Sequence, residues 1–310
     1  MFSRIRSTAT VQRKLLTLTA LVAGAALSAT ALAGPAAAAA APGGATATTT
    51  STAAGSLPEG STIPLGDGYL GVGYVQDLKD FKPDSRQLQL SPDTVRPLAA
   101  WGPAGIDVSH YQGSVNWKSV KSAGISFAYI KATEGTTYTD PDFSANYLNA
   151  YNAKVIRGAY AFAQPGSSSG ASQANYFADH GGAWSKDNLT LPGMVDLEGG
   201  CYGLSVSAMD SWILSFYNAY KSDTGRDIVI YTSPSWWDTC TDDWSGMSAK
   251  SPLFEADWTT AANPSVPAGF PYATIWQYTD TGSVSGVSGN VDRDKFDGTS
   301  ADLLNLANNT

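Results

Sequence analysis

Leu191-Pro192-Gly193-Met194-Val195-Asp196-Leu197-Glu198 is a short apolar run that ends in two acids. Its length suits a strand better than a helix, and its nearly unbroken apolar character suits a strand covered on both faces. The form recurs. Comparable runs lie at 105–109, 126–131, 155–163, 227–232, 253–258, 273–278 and, more briefly, 290–293, which makes eight candidate strands. Helical stretches separate several of them, most clearly at 205–224, where Val206, Met209, Trp212, Ile213, Phe216, Tyr217 and Tyr220 form one stripe at spacings of three and four. Ser207 and Asp210 read as a capping box for that helix and Gly225 as its stop signal. Weaker helices are expected at 117–123 and 143–153. Strands alternating with helices imply an α/β fold with a mostly parallel sheet, and eight strands suggest a closed barrel. About 210 residues is short for eight full strand–helix units, so some outer helices must be missing. No internal repeat is visible.

The rest of the 310 residues divides unevenly around this domain, since all nine tryptophans follow residue 100. Arg4, Arg6, Arg13 and Lys14 precede an apolar run from Leu15 to Ala33 that closes on Ala31-Leu32-Ala33, the pattern of a secretory signal peptide at 1–33. Thr17, Thr19, Gly24, Ser28 and Thr30 dilute the run, which argues against a membrane anchor. The product is expected to be secreted and extracellular. Residues 34–100 form a leader. Its first part, to about Ser56, is Ala, Thr, Gly, Ser and Pro with no charge, too apolar-poor to fold by itself. The stretch 65–100 holds Tyr69, Leu70, Val72, Tyr74 and Phe81, and a pro-segment, a wall-spanning spacer or a strand packed on the main domain are all open. The catalytic domain is placed at 101–310.

Nineteen cations face 27 acids, and four of those cations belong to the signal run. A nucleic-acid partner is therefore not expected, since it needs clustered Lys and Arg to displace counterions. Cys201 and Cys240, an even pair in a secreted chain, are expected to form a disulfide. Metal binding has no support, because only His110 and His180 exist and neither has ligand spacing to a cysteine. No cofactor is expected, and the chain is read as a monomer.

In a barrel, reactive groups gather where strands end, and acids end these runs repeatedly: Asp107, Asp196, Glu198, Asp257 and Asp292. Asp196 and Glu198 are two apart on a strand, so they share a face with Cα atoms about 6.6 Å apart. Like charge and desolvation both favour the neutral form, so one of the pair should hold a proton near neutral pH. A general acid beside an ionised partner is the arrangement of glycoside hydrolysis. Tyr160, Tyr231, Trp258, Trp276 and Tyr278, with Phe162, fall near the same strand ends and are candidate sugar-stacking rings.

The motifs Gly105-Ile106-Asp107-Val108-Ser109-His110-Tyr111-Gln112-Gly113, Asn116-Trp117, Ile130-Lys131-Ala132-Thr133-Glu134-Gly135, Gly158-Ala159-Tyr160, Asp196-Leu197-Glu198, Ile230-Tyr231-Thr232, Trp276-Gln277-Tyr278 and Val291-Asp292 resemble, in this order, glycoside hydrolase family 25, the Ch-type lysozymes. The resemblance spans residues 104–308. It implies a flattened eight-stranded β/α (TIM-like) barrel with fewer than eight outer helices. It also implies a secreted muramidase that cuts the β-1,4 bond between N-acetylmuramic acid and N-acetylglucosamine in peptidoglycan. The family's acids map onto Asp107, Asp196, Glu198 and Asp292, with Glu198 as general acid and Asp196 as nucleophile or stabiliser of a substrate-assisted intermediate. Two positions depart from the family pattern: Ala161 stands where a histidine is common after Gly-Ala-Tyr, and Asp257 precedes Trp258 where a histidine is often found. Both are expected to bear on substrate contacts or on the pH optimum rather than on the catalytic acids.

Rival readings are a chitinase-like N-acetylglucosaminidase and a non-catalytic wall-binding module. A chitinase-like motif wants a further Asp where this chain has Met194, and a dead module would have lost the acids. A peptidoglycan amidase would need a zinc-ligand set that two histidines do not supply.

Overall fold

A computed structural model describes residues 63–73 and 101–310. The expected signal run and most of the leader lie outside the described residues. The strands are β1 (Trp101–Val108), β2 (Ile125–Glu134), β3 (Tyr138–Thr139), β4 (Ile156–Phe162), β5 (Met194–Asp196), β6 (Val229–Thr232), β7 (Leu253–Ala256), β8 (Ile275–Gly282) and β9 (Val291–Asp297). Neighbouring strands from β1 through β2, β4, β5, β6 and β7 to β8 pair in parallel. The sheet closes through β9, which lies antiparallel to both β8 and β1. The result is an eight-stranded barrel, with β3 a short hairpin added to the end of β2. All eight expected strands are present. β3 was not expected, because two polar-flanked residues carry no periodic signal.

Six α-helices lie outside the barrel among the described residues: α1 (Trp117–Ser122), α2 (Phe143–Asn152), α3 (Gly170–Phe177), α4 (Val206–Thr224), α5 (Pro234–Thr241) and α6 (Ser300–Asn308). The links from β7 to β8 and from β8 to β9 carry none, which is how eight strands fit in so short a chain. The start of α4 corrects the expected capping box. Ser205 is its N-cap, accepting from Ala208 N, while Gly225 ends it in the left-handed region at φ 72° as expected. Helices α3, α5 and α6 were missed; each is eight or nine residues long, too short for a stripe to stand out.

Strand alternation separates two cores. Phe127, Tyr129, Tyr160, Met194, Val229, Tyr231, Phe254, Ile275 and Phe296 point inward and fill the barrel. Their neighbours Ala159, Val195, Leu197, Ile230 and Leu253 point outward against the helices, where α4 contributes Met209, Trp212, Ile213, Phe216 and Tyr220. The interior rings need glycines opposite them. A Cβ on Gly158 would lie 2.3 Å from the Tyr129 ring, and one on Gly105 2.3 Å from Phe127.

Cys201 and Cys240 are bonded, with Cα atoms 5.4 Å apart, and tie the loop behind β5 to α5. The bond closes a separation of 39 residues. On the chain-entropy relation, the double variant Cys201→Ser/Cys240→Ser should lose about 4 kcal/mol of unfolding free energy, read by guanidinium denaturation. An unchanged midpoint would show that the bond does not constrain the unfolded chain.

Candidate active site

The parallel strands all end at one mouth of the barrel, and the reversed β9 begins there. Asp107 near the end of β1, Asp196 at the end of β5, Glu198 two residues further and Asp292 at the start of β9 are therefore gathered at that mouth, each buried. Asp107 pairs in register with Asp292, and Asp294 stands two residues along on the same inward face. Asp294 is fully buried and joins the group, although it had not been singled out. The signal was present: Asp292 and Asp294 have the same two-residue spacing as Asp196 and Glu198.

Burial pushes the Asp107 carboxyl up to about 7, against hydrogen bonds that pull it down, the largest from Gln277, whose Nε2 donates to Asp107 Oδ2 at 2.9 Å. Burial also holds Asp196 well above the usual carboxylate range, and the charge of Glu198 adds to it while the ammonium of Lys131 opposes it. A hydrogen bond shared with the Glu198 side chain adds to the rise, so the two carboxyls act as one coupled pair. Asp292 and Asp294 are raised in the same way, first by burial and then by the charge of Asp107. The mouth of the barrel thus retains protons that exposed acids would have lost.

Polar partners on inward positions organise these acids. Gln277 Oε1 accepts from Tyr231 Oη at 2.9 Å and from Trp258 Nε1 at 3.0 Å, so one amide joins two rings to Asp107. Lys131, wholly buried, donates to Glu134 Oε2 at 2.6 Å, and Gln164 Nε2 donates to Glu134 Oε1 at 2.9 Å. Lys131, Glu134, Gln164 and Gln277 were not candidates. Lys131 is legible in hindsight as the inward residue two beyond Tyr129. At the rim, His110 Nδ1 lies 2.8 Å from Asp140 Oδ2. No group of three His, Cys, Asp or Glu side chains among the described residues is arranged to hold a metal ion.

Of the six candidate rings, four are near the acids. Tyr160 and Tyr231 are buried inside the barrel, Phe162 faces Lys131 with Nζ 5.5 Å from its ring centre, and Trp258 borders Gln277. Trp276 and Tyr278 are elsewhere, and this corrects the expectation. Gln277 between them points inward, so they point outward. The Trp276 ring packs on Trp101 at 5.3 Å and on Tyr278 at 5.9 Å, and Lys295 caps both. Ala161 is also outward, in the layer under the helices, so this departure does not reach the mouth. The Asp257 carboxylate accepts from Ser265 N at 2.7 Å and serves its own loop.

Comparison with known proteins places this arrangement. The sequence pattern of "Glycosyl hydrolases family 25" matches residues 106–287. The chain is 56% identical over 259 residues to "Lysozyme M1" of Streptomyces globisporus, a match covering 82% of this chain and 85% of that one. It is 46% identical over 200 residues to the "N,O-diacetylmuramidase" of Chalaropsis sp, covering 61% of this chain and 95% of that one. Among solved structures it is similar to the bacterial lysozyme from Streptomyces coelicolor, with TM-score 0.66 and 61% identity over 68% of this chain and 99% of that one.

The raised carboxyls have a sign that can be measured. A group whose folded pKa lies above its unfolded value stabilises most below the unfolded value and loses that contribution as the pH rises through the folded one. For Asp107 the window runs from 3.8 to about 7. The melting temperature should therefore fall between pH 5 and pH 8, and Asp294→Asn, which removes a carboxylate beside Asp107, should raise it at pH 8 and flatten the slope. A melting temperature that climbs to pH 8 in the parent chain would contradict the electrostatics described.

Proposed function

The chain belongs to family 25 of the glycosyl hydrolases, and from that premise we propose that it is a secreted muramidase, cutting the β-1,4 bond between N-acetylmuramic acid and N-acetylglucosamine in bacterial peptidoglycan. The observation that carries the proposal is the buried Asp196–Glu198 pair at the acid-lined mouth of the barrel, where burial and like charge favour one proton shared by two carboxyls beside the inward rings.

Glu198, beyond the end of β5, protonates the glycosidic oxygen, and by reversibility takes a proton from the incoming water in the second step. Asp196, when the proton of the pair resides on Glu198 and the Lys131 ammonium favours its charged form, meets the positive charge that develops on the sugar. It does so by bonding to the anomeric carbon or by holding the substrate's 2-acetamido group as that group attacks. Asp107 and Asp292 set the field at the site and hold hydrogen bonds to it, with Gln277 fixing Asp107. Tyr160, Phe162, Tyr231 and Trp258 contact the sugar. Trp276 and Tyr278 have no part in this reading. The relatives named for muramidase activity support the bond assignment, and the run at 1–33 supports secretion.

Glu198→Gln should lower the clearing of cell-wall suspensions by at least about 100-fold, the usual contribution of a general acid and base, while wall binding persists. Mass spectrometry of the digest should show muramic acid at the new reducing end. N-acetylglucosamine there would replace the muramidase by a glucosaminidase, and undiminished clearing by the variant would remove Glu198 from the chemistry.

A further inference from the structure

Residues 63–73, Ile-Pro-Leu-Gly-Asp-Gly-Tyr-Leu-Gly-Val-Gly, lie across the barrel mouth. Their contacts are with the polar groups of the cleft itself. Gln164 Nε2 donates to Ile63 O at 2.9 Å, Gly66 N and Gly68 N donate to the two oxygens of Glu134 at 3.0 and 3.3 Å, and Lys131 Nζ donates to Gly68 O. At the other end of the segment, Gly73 N donates to Glu198 Oε2 at 2.8 Å. Leu70 is 1% exposed and packs with the inward rings, and Tyr69 meets Tyr111 edge-on at 5.0 Å. The backbone bends as it goes, with Asp67 N donating to Pro64 O and Val72 N to Tyr69 O.

Four of the eleven residues are glycines, and three of them are there because the fit is close. A Cβ on Gly68 would lie 2.4 Å from the Phe162 ring, one on Gly71 2.7 Å from Trp258, and one on Gly73 2.4 Å from Gly199 N. The segment presents backbone N–H groups to two carboxylates and a carbonyl to a lysine, the same donors and acceptors that sugar hydroxyls and acetamido groups offer. Gly73 N occupies Glu198 Oε2, one of the two oxygens through which that carboxyl would serve a glycosidic oxygen.

The geometry points to the cleft being also a peptide-binding groove whose partner is this chain's own 63–73 segment, which competes with glycan and holds the uncut chain latent. This rests on the reading of the same cleft as the glycan site. Residues 74–100 join the segment to β1, so hydrolysis of one peptide bond there turns a tethered occupant into a free one. A short tether gives an effective concentration in the millimolar range, so a segment that binds with a dissociation constant of ~100 μM when free suppresses turnover about tenfold when attached and hardly at all when diluted.

The test uses the full secreted chain with a specific protease site replacing residues 84–90, assayed on purified peptidoglycan before and after cutting and dilution. The cut chain should release reducing ends at least about tenfold faster than the uncut one, and a synthetic 63–73 peptide at millimolar concentration should slow it again. Gly68→Val and Gly73→Val should bring the uncut chain close to the cut rate. Once cut, variant and parent have identical barrels, so equal cut rates exclude a folding defect. Equal rates before and after cutting, or valine variants that leave the uncut rate where it was, overturn the inference. If the cut chain releases nothing, the muramidase reading fails and pelleting with insoluble peptidoglycan decides the segment's role: the cut chain alone should pellet, and equal pelleting of both forms overturns it.

Discussion

Keeping Asp107, Asp196, Glu198, Asp292 and Asp294 together at one end of an apolar barrel is the constraint on which the rest of the structure depends. Desolvating a carboxylate costs several kcal/mol unless it is neutralised or well hydrogen-bonded, and here the nearest ammonium, Lys131, is already paired with Glu134. The acids answer by holding protons, Asp107 up to about 7 and Asp196, Asp292 and Asp294 well above the ordinary range. Burial and like charge together favour one negative charge over two on the neighbouring Asp196 and Glu198, so the pair keeps a proton to give while one carboxylate stays ionised. The stability lost in assembling the site and the chemistry proposed for it have the same electrostatic origin, and the surrounding fold must supply the difference.

It does so with two apolar layers rather than with counter-charge. The inner rings, from Phe127 and Tyr129 to Phe254 and Phe296, fill the barrel beneath the acids, and the outer layer seats α4 against β4, β5 and β6. Strand alternation decides which layer a residue joins. It also explains why the acids are reinforced by single polar partners: Gln277 is the inward residue between two outward aromatics, and its amide serves Asp107, Tyr231 and Trp258 at once. The disulfide from Cys201 fixes the loop that follows Glu198, where no strand pairing reaches.

The acidic balance takes a different meaning in this setting. A net charge of −8 gives no long-range attraction to an anionic wall, so recognition of the proposed substrate would have to come from short-range contacts in the cleft. The oxygens of Glu134 and Glu198 and the ammonium of Lys131 are the groups in the cleft that hydrogen-bond the 63–73 backbone. Carboxylate acceptors and a lysine donor set in close apolar surroundings suit the N–H and C=O groups of a glycine-rich backbone, and the same groups suit the hydroxyl and acetamido groups of the proposed sugar chain.

The eight barrel strands, helix α4 and the pair Asp196 and Glu198 were all legible in the amino-acid sequence, because each rests on a local period: apolar runs of strand length, a stripe at three and four, and two acids two apart on one face. The family motifs added the order in which the strands carry their acids. Local period could not say which face of β8 turns inward, and so Trp276 and Tyr278 were placed with the sugar-stacking rings when closure of the barrel turns them out and Gln277 in. Asp294 and Lys131 do lie at the two-residue spacing that marks an inward face, but their roles, like those of Glu134 and Gln164, exist only once strands far apart in the chain meet at one mouth. The same holds for the hydrogen bond from Gly73 to Glu198, which spans 125 residues. The sequence by itself determined the elements and the reactive pair; tertiary structure alone decided what surrounds that pair and what lies across it, because inward direction and long-range contact are set by how the sheet closes and not by neighbours along the chain.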